Sequence, residues 1–412
     1  MTVEDRNLAV RFAHARAQAA RARDDVDVAW GEAIKSEYLA DPADRHQMML
    51  VRAMSLRVGY ARVAAAADAG DHALVVERAS DLIERSRGET GDEVYHLLNN
   101  SLFAQGAEEP IAFHGLELMT RSVPGVGAGD LVCCLVVKNG MWRLADYLES
   151  LRSSGVERFF VVDNASDDGT AEYLKAQDDV VVWRTGNQFS TANSGAAWLD
   201  VLLRLHAPGS WALILDLDED IRVADDLPIP EFCRRLDASG FRASSGLHVD
   251  LYPRGHNDAT LHYDRIVATD HVGIAMYPGR AVVGSAMRQR VFGYEVMSNK
   301  APLQKMQPGL VLCLGQHFSH HRREVVAEQT CAVLHYKFAR GFTQRVEQIS
   351  SDCQHHTTWR AQNAMYARYA ATHGESSMFD PHVSVALGAT SEMVEQRILA
   401  AVPGNGFTAR MT

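Results

Sequence analysis

Between residues 131 and 215 the chain alternates short uncharged apolar runs with amphipathic stretches. LVCCLVV (131–137), FFVV (159–162), VVVW (180–183) and WALIL (211–215) are the apolar runs. MWRLADYLESLRSSG (141–155), GTAEYLKAQ (169–177) and NSGAAWLDVLLRLHA (193–207) separate them, with apolar residues at three- and four-residue spacing and Gly155 as a helix stop. A strand that is apolar at every position has no face for water. Such strands, alternating with amphipathic helices, imply an α/β fold with a parallel sheet covered on both faces. Ligands bind such sheets outside the carboxyl ends of the strands.

Three of the four runs end in polar clusters: Lys138-Asn139, Asp163-Asn164-Ala165-Ser166-Asp167-Asp168, and Asp216-Leu217-Asp218-Glu219-Asp220. If the strands are parallel, all three clusters lie on one rim. LDLDED is the sharpest. Asp216 and Asp218 are two apart, so their side chains point the same way while the segment stays extended. Two hard carboxylates on one face can hold Mg²⁺ or Mn²⁺ and leave positions for phosphate oxygens. The alternative is a solvated acidic turn. Burying the pair without a cation would cost several kcal/mol or force protonation.

The rest of the chain differs. With 412 residues it is too long for one ordinary core. Residues 1–109 read as helices: AVRFAHARAQAARA (9–22), MMLVRAMSLRVGYARVAAAADAG (48–70) and ALVVERASDLIERSRG (73–88), with Gly70, Gly88 and Gly106 as stops. These helices serve either as a packing extension or as a platform for a protein partner. RSVPGVGAGD (121–130), with three Gly and one Pro, marks a boundary. The expected layout is a helical extension (1–109), a linker (110–130), a catalytic domain (131–345) and a C-terminal helical segment packed on it (346–412). The net charge of −11, from 41 basic and 52 acidic residues, carries no basic footprint for nucleic acid. A chain this acidic needs local cations or a metal to handle phosphates. No run approaches the ~18 apolar residues of a membrane span. The start lacks a signal peptide's apolar centre. The six cysteines show no CxxC spacing, so reduced thiols and a cytoplasmic location are expected.

Taken together, the motifs Lys138-Asn139-Gly140, DNASDDGT (163–170) and WALILDLDED (211–220) resemble a family-2-like group of glycosyltransferases. That group carries a KNE-type first motif, DNxSxDGT and W-x-L-x-x-D-x-DE. HVDLYPRG (248–255), MRQRVFG (287–293), NKAPLQK (299–305), GQHFSHH (315–321) and LHYKFARGF (334–342) extend the likeness across about residues 131–340. One position departs: Gly140 stands where the group has Glu. The resemblance implies a GT-A (nucleotide-diphospho-sugar transferase) Rossmann-like sheet, a nucleotide-sugar donor with UDP favoured, and Mn²⁺ or Mg²⁺. It implies that Asp163 binds the nucleoside and that Asp216 and Asp218 bracket the metal and the donor's ribose-diphosphate. Lys138, Asn139 and Asn164 would position the nucleotide, and Asn164 and Ser166 can also fix the turn by bonding its backbone. Asp168 is expected to cap the next helix.

Sugar transfer also needs groups downstream. GT-A enzymes often take a late histidine as a metal ligand, which points to His317 first and His335 second. GQHFSHH matches no standard structural zinc spacing. Arg288, Arg290, Lys300 and Lys337 are candidate diphosphate partners; Arg288 and Arg290 share a side if that segment is extended. Asp250, then Glu295, are candidates for the base that deprotonates the acceptor. GNQFSTANSG (186–195) is either a donor-side loop or a connector. The leading expectation is a metal-dependent glycosyltransferase acting on a glycan, lipid-linked or other hydroxyl acceptor in bacterial polysaccharide or glycoconjugate synthesis. It has no membrane span, although peripheral association fits a lipid-linked acceptor. A nucleotidyltransferase on a related sheet and a non-catalytic partner-binding protein are the alternatives.

Overall fold

The computed structural model describes residues 10, 13, 16–18, 20–21, 25–40, 44–255, 259–265, 286–293, 299–313, 318–319, 321, 325–339, 341–343, 345–346, 357–373, 378–396 and 398–399. They form two compact units. One comprises Met1–Phe113 with Ser190–Asn193, the other His114–Phe189 with Ser194–Thr412.

The first unit is helical. Its elements are α1 (Val26–Leu39), α2 (Arg45–Asp68), α3 (His72–Ser86), α4 (Asp92–Gln105) and the short α5 (Glu109–Phe113). An aspartate starts each of the first three: Asp25, Asp44 and Asp71 accept the backbone N–H of Val28, Gln47 and Leu74 at 3.2, 3.0 and 3.0 Å. Gly70 and Gly88 take left-handed φ of 70° and 80° just past α2 and α3, a conformation that a side chain would strain. Asp27 on α1 pairs with Arg62 of α2 and Arg78 of α3, both at 2.7 Å, and so ties three helices together. Ser190–Asn193, from the polar stretch 186–195, belongs to this unit; Asn193 Nδ2 donates to Asp92 at 2.7 Å.

The second unit is an α/β fold built on a nine-stranded mixed sheet. In chain order its first half is β1 (Glu117–Leu118), β2 (Leu131–Val137), α6 (Leu144–Ser153), β3 (Phe159–Asp163), α7 (Thr170–Lys175), β4 (Val180–Arg184), α8 (Ala196–His206) and β5 (Trp211–Ile214). Next come β6 (Glu219–Val223), α9 (Ile229–Ala238), β7 (Ala243–Asp250), β8 (Tyr252–Pro253), β9 (Leu261–Asp264), α10 (Ala286–Phe292) and β10 (Asn299–Lys305). The chain closes with β11 (Leu312–Cys313), β12 (Phe318–Ser319), β13 (Val326–His335), α11 (Thr357–His373), β14 (Ser384–Ala386) and α12 (Thr390–Glu395).

The strand order is β1-β4-β3-β2-β5-β10-β7-β13-β6. The four apolar runs are the parallel strands β4-β3-β2-β5, as their composition requires. Alternation along them sends Cys133, Leu135 and Val137 into a core with Leu144, Leu148 and Leu151 of α6 and Phe232 and Leu236 of α9. The other set includes Phe160 and Trp183, packed edge to face at 5.2 Å, with His206 of α8 stacked on Trp183. Fully buried side chains of this size contribute about 1.5–3 kcal/mol each. Within the stretch expected to be a linker, β1 instead pairs antiparallel with β4. The rest of the sheet is mixed: β10 runs antiparallel to β5 and β7, and β13 runs parallel to β7 and antiparallel to β6. Gly246 is required where β7 meets β13, because a Cβ there would stand 2.1 Å from the Cys331 carbonyl. The C-terminal segment belongs to this unit: β14 pairs with β9, and Tyr366 of α11 is buried against Phe338. No helix among the described residues is long and apolar enough to cross a membrane.

Candidate active site at the carboxyl edge of the sheet

Because β2, β3 and β5 are parallel and adjacent, their three polar ends meet on one edge. The order reverses at β2, with β3 and β4 on one side and β5 on the other. Such a switch point is where ligands bind in open α/β sheets.

Much of DNASDDGT holds the neighbouring loop. The Asn139, Gly140 and Met141 N–H groups donate to Ser166 Oγ, Thr170 Oγ1 and Asp168 Oδ2 at 2.9, 2.8 and 3.0 Å. Asn139 Oδ1 in return accepts the Asp167 N–H at 3.0 Å. Asn164 donates to the Thr185 and Asn187 carbonyls, and Asp163, fully buried, accepts the Ser166 N–H and lies 3.7 Å from Arg184. The α7 cap is Gly169; Asp168 acts from one residue further out, accepting the Thr170 N–H. Lys138 is exposed on the same loop. A side chain at Gly140 would meet Val137 Cγ2 at 2.5 Å and Leu217 Cδ2 at 3.0 Å, so those two residues fill the room a glutamate would need.

The D-x-D segment is not extended. β5 ends at Ile214, and Leu217-Asp218 form a turn closed by the Glu219 N–H on the Asp216 carbonyl at 3.0 Å. The premise that strand alternation aligns Asp216 with Asp218 therefore fails. Arg143, buried at the start of α6, braces the turn by donating to the Leu217 and Glu219 carbonyls, with its guanidinium 4.1 Å over the Tyr336 ring.

Register across β6, β7, β10 and β13 then builds two chains of partners. His335 lies opposite Glu219 on β6 and beside Asp250 on β7, and His248 shares a face with Asp250. In the first chain, both Asp250 oxygens accept from Arg288 at 2.6 Å, Asp250 Oδ1 accepts from His335 Nδ1 at 2.5 Å, and His335 Nε2 faces Asp218 Oδ2 at 3.4 Å. In the second, His248 Nε2 donates to Glu219 Oε1 at 2.8 Å. Lys300 Nζ lies 2.5 Å from Glu219 Oε2 and 3.6 Å from Asp216 Oδ2. Lys300 and Glu219 are fully buried.

The charges follow this geometry. Burial pushes Asp216 up to about 6 against the pull of Lys300, helped by the Glu219 and Asp218 carboxylates; 43% of the side chain stays open, so water moderates the push. Burial would raise Asp218 too, but His335 and then Lys337 hold it well below the usual carboxylate range. Asp250 is likewise held well below that range, with Arg288 and His335 outweighing burial. Burial lowers His335, yet Asp218 and Asp250 carry it above its ordinary value, while burial and the His335 charge push His248 down to about 4. Lys300 ends above its ordinary value because Asp216 and Glu219 outweigh its burial.

Other sequence candidates fall differently. Residues 286–292 form helix α10, so Arg288 and Arg290 do not share a side: Arg288 takes Asp250, whereas Arg290 takes Asp264 and the Met378 carbonyl. Lys337 follows His335 and is lowered by burial, with Asp218 pulling the other way. His317 and Glu295 lie outside the described residues. Glu219, His248, Arg143 and Arg345 are partners that the sequence reading did not single out. Each stands within or near a quoted motif; the roles of Glu219 and His248 depend on pairing across strands, that of Arg143 on the helix start meeting the turn, and that of Arg345 on the carbonyls of the segment after β13.

Two arrangements could take a metal. His248, Asp250 and His335 each offer a ligand atom, all within 4.8 Å of one another. Asp250, however, is already held by the Arg288 cation. The Asp218–His335 pair fits better: it combines a carboxylate oxygen with an imidazole nitrogen, suited to Mn²⁺. Neighbouring ligands on one such ion stand about 3 Å apart, close to the 3.4 Å found. Asp250 then fixes the other ring nitrogen, a common support for a ligating histidine. No model of a known protein family matches the chain, and no curated protein matches it.

Proposed function

We propose that the α/β unit is a GT-A-type glycosyltransferase that moves a sugar from a nucleotide-diphosphate donor, UDP-linked by preference, to a hydroxyl acceptor. The observation that carries this reading is the Arg288–Asp250–His335–Asp218 chain at the switch-point edge of the sheet. Asp218 and His335 would hold Mn²⁺ or Mg²⁺, and such an ion neutralises a diphosphate leaving group. Arg288 and Asp250 keep the His335 ring in place. Lys300 and Glu219 hold Asp216 at the edge of the same turn, and Arg143 fixes the turn itself. Lys337 and Arg345 supply positive charge next to Asp218. Asp250, engaged on both oxygens, acts as a positioning residue and not as the acceptor's base; Glu295 keeps that candidacy from sequence alone.

The test is calorimetric titration of the whole chain with UDP, GDP and CMP, with Mn²⁺ or with EDTA. The expected result is binding of UDP only when Mn²⁺ is present, lost in Asp218→Asn and in His335→Gln. A folded protein that binds none of the three with Mn²⁺ present would overturn the reading.

A further inference from the structure

Among the described residues of the α/β unit, three large apolar side chains stand exposed: Leu118 on the edge strand β1, and the adjacent pair Met141 and Trp142 on the site's rim. An indole left 43% exposed on a loop is unremarkable when the loop can move. This loop is held. The N–H groups of residues 139–141 are bound to the 166–170 segment, and Arg143 is anchored on the Leu217 and Glu219 carbonyls.

The indole itself is braced. The Arg345 guanidinium lies 4.2 Å from the ring centre. Arg345 in turn donates to the Tyr336, Lys337 and Ala339 carbonyls at 3.5, 2.8 and 3.2 Å, directly after His335. Trp142 is thus tied on one side to the turn carrying Asp216 and Asp218 and on the other to the segment following β13. The nucleoside-side loop, 163–168, lies across β2 from that turn. The indole therefore stands on the diphosphate side of the edge, where the acceptor must come to meet the donor's sugar.

We propose that Trp142 is the acceptor platform of this site: its indole, backed by Arg345, packs on the apolar C–H face of an acceptor pyranose. This rests on the transferase reading above. A pyranose has a flat C–H face ringed by hydroxyls. A half-open aromatic ring takes that face while the hydroxyls stay in water, which suits a rim better than a closed pocket.

The experiment is saturation-transfer NMR on the full chain with methyl β-glucopyranoside, methyl β-galactopyranoside and methyl 2-acetamido-2-deoxy-β-glucopyranoside, with and without UDP and Mn²⁺. The expected result is saturation of the ring C–H protons of at least one glycoside, persisting with UDP and Mn²⁺. Trp142→Ala should reduce it about fivefold or more, and Trp142→Phe should retain most of it. Circular dichroism checks that both variants fold. No transfer to any of the three glycosides in the unaltered protein, or full transfer in Trp142→Ala, would overturn the platform. Calorimetry with UDP and Mn²⁺ on the same samples separates the two ideas. UDP binding without glycoside contact removes only the platform, whereas absent UDP binding removes the transferase reading as well.

Discussion

Lys300→Met is the most informative single change. Lys300 is fully buried, with its ammonium 2.5 Å from Glu219 and 3.6 Å from Asp216. Removing it leaves the buried Glu219 carboxylate without its cation. Breaking a buried ion pair from one side costs about 3–5 kcal/mol. Glu219 keeps its bonds from His248 and from the Asp216 N–H, and Asp216 keeps open surface. The lower part of that range, about 3 kcal/mol, is therefore expected.

The loss should depend on pH with a definite sign. Asp216 sits at about 6 in the fold, above an unfolded carboxyl at about 3.9. Between those values the folded state binds the extra proton, so this group's contribution to stability falls as pH rises through the window. Lys300 pulls Asp216 down; without it the folded value climbs and the window extends upward. Urea unfolding in EDTA should give a gap between the unaltered protein and the variant that is smaller at about pH 5.5 than at about pH 8, because the Asp216 contribution is added to the loss at Glu219 as pH rises. Lys300→Met/Glu219→Gln should recover about 1–2 kcal/mol relative to the sum of the two single changes. A loss under about 1 kcal/mol at the higher pH, or an equal loss at both, would refute the argument.

Three further outcomes follow from the same geometry. Asp250→Asn frees the His335 ring and should weaken Mn²⁺ binding about 10- to 100-fold in an electron paramagnetic resonance titration; unchanged affinity would remove Asp250 from the metal's surroundings. Gly246→Ala forces a Cβ onto the Cys331 carbonyl and should cost about 2 kcal/mol or more, read as a lowered melting temperature. Asp168→Ala removes the acceptor for the Met141 and Thr170 N–H groups. Because the site is exposed and water can replace the carboxylate, the change should cost about 0.5–1.5 kcal/mol and speed hydrogen exchange at those two amides; slow exchange there would place the zipping of the two loops elsewhere.

The parallel half of the sheet was legible because its signal is local: each strand is one uninterrupted apolar run. The mixed half was not. Lys300 meets Glu219 across 81 residues, and His335 meets Asp250 across 85, and no local period encodes such pairings. The same limit explains the polar clusters. Their place on one edge was readable, but a strand-end Asn or Ser looks alike whether it bonds a ligand or the next loop. Asn139, Ser166 and Asp168 bond the loop. The spacing of Asp216 and Asp218 misled for a simpler reason: alternation holds only while a strand continues, and this one had stopped.

The fixed charges at this edge make a metal more than an ornament. Lys300 is matched by Glu219 and Arg288 by Asp250. Among the described residues near the turn, the cations Arg143, Lys337 and Arg345 with the protonated His335 exceed the carboxylates Asp216, Asp218 and Asp220 by one formal charge. A donor diphosphate brings roughly two negative charges, which one surplus positive charge in a chain of net charge −11 does not offset. One divalent ion does. His335, held above its ordinary pKa by Asp218 and Asp250, must give up the proton on Nε2 to ligate that ion, so metal binding releases a proton. The heat of Mn²⁺ binding near neutral pH should therefore differ between two buffers of unequal ionisation enthalpy, and His335→Gln should abolish the difference. Equal heats in both buffers would mean that His335 is not a ligand, and the positive charge the diphosphate needs would have to come from a different group.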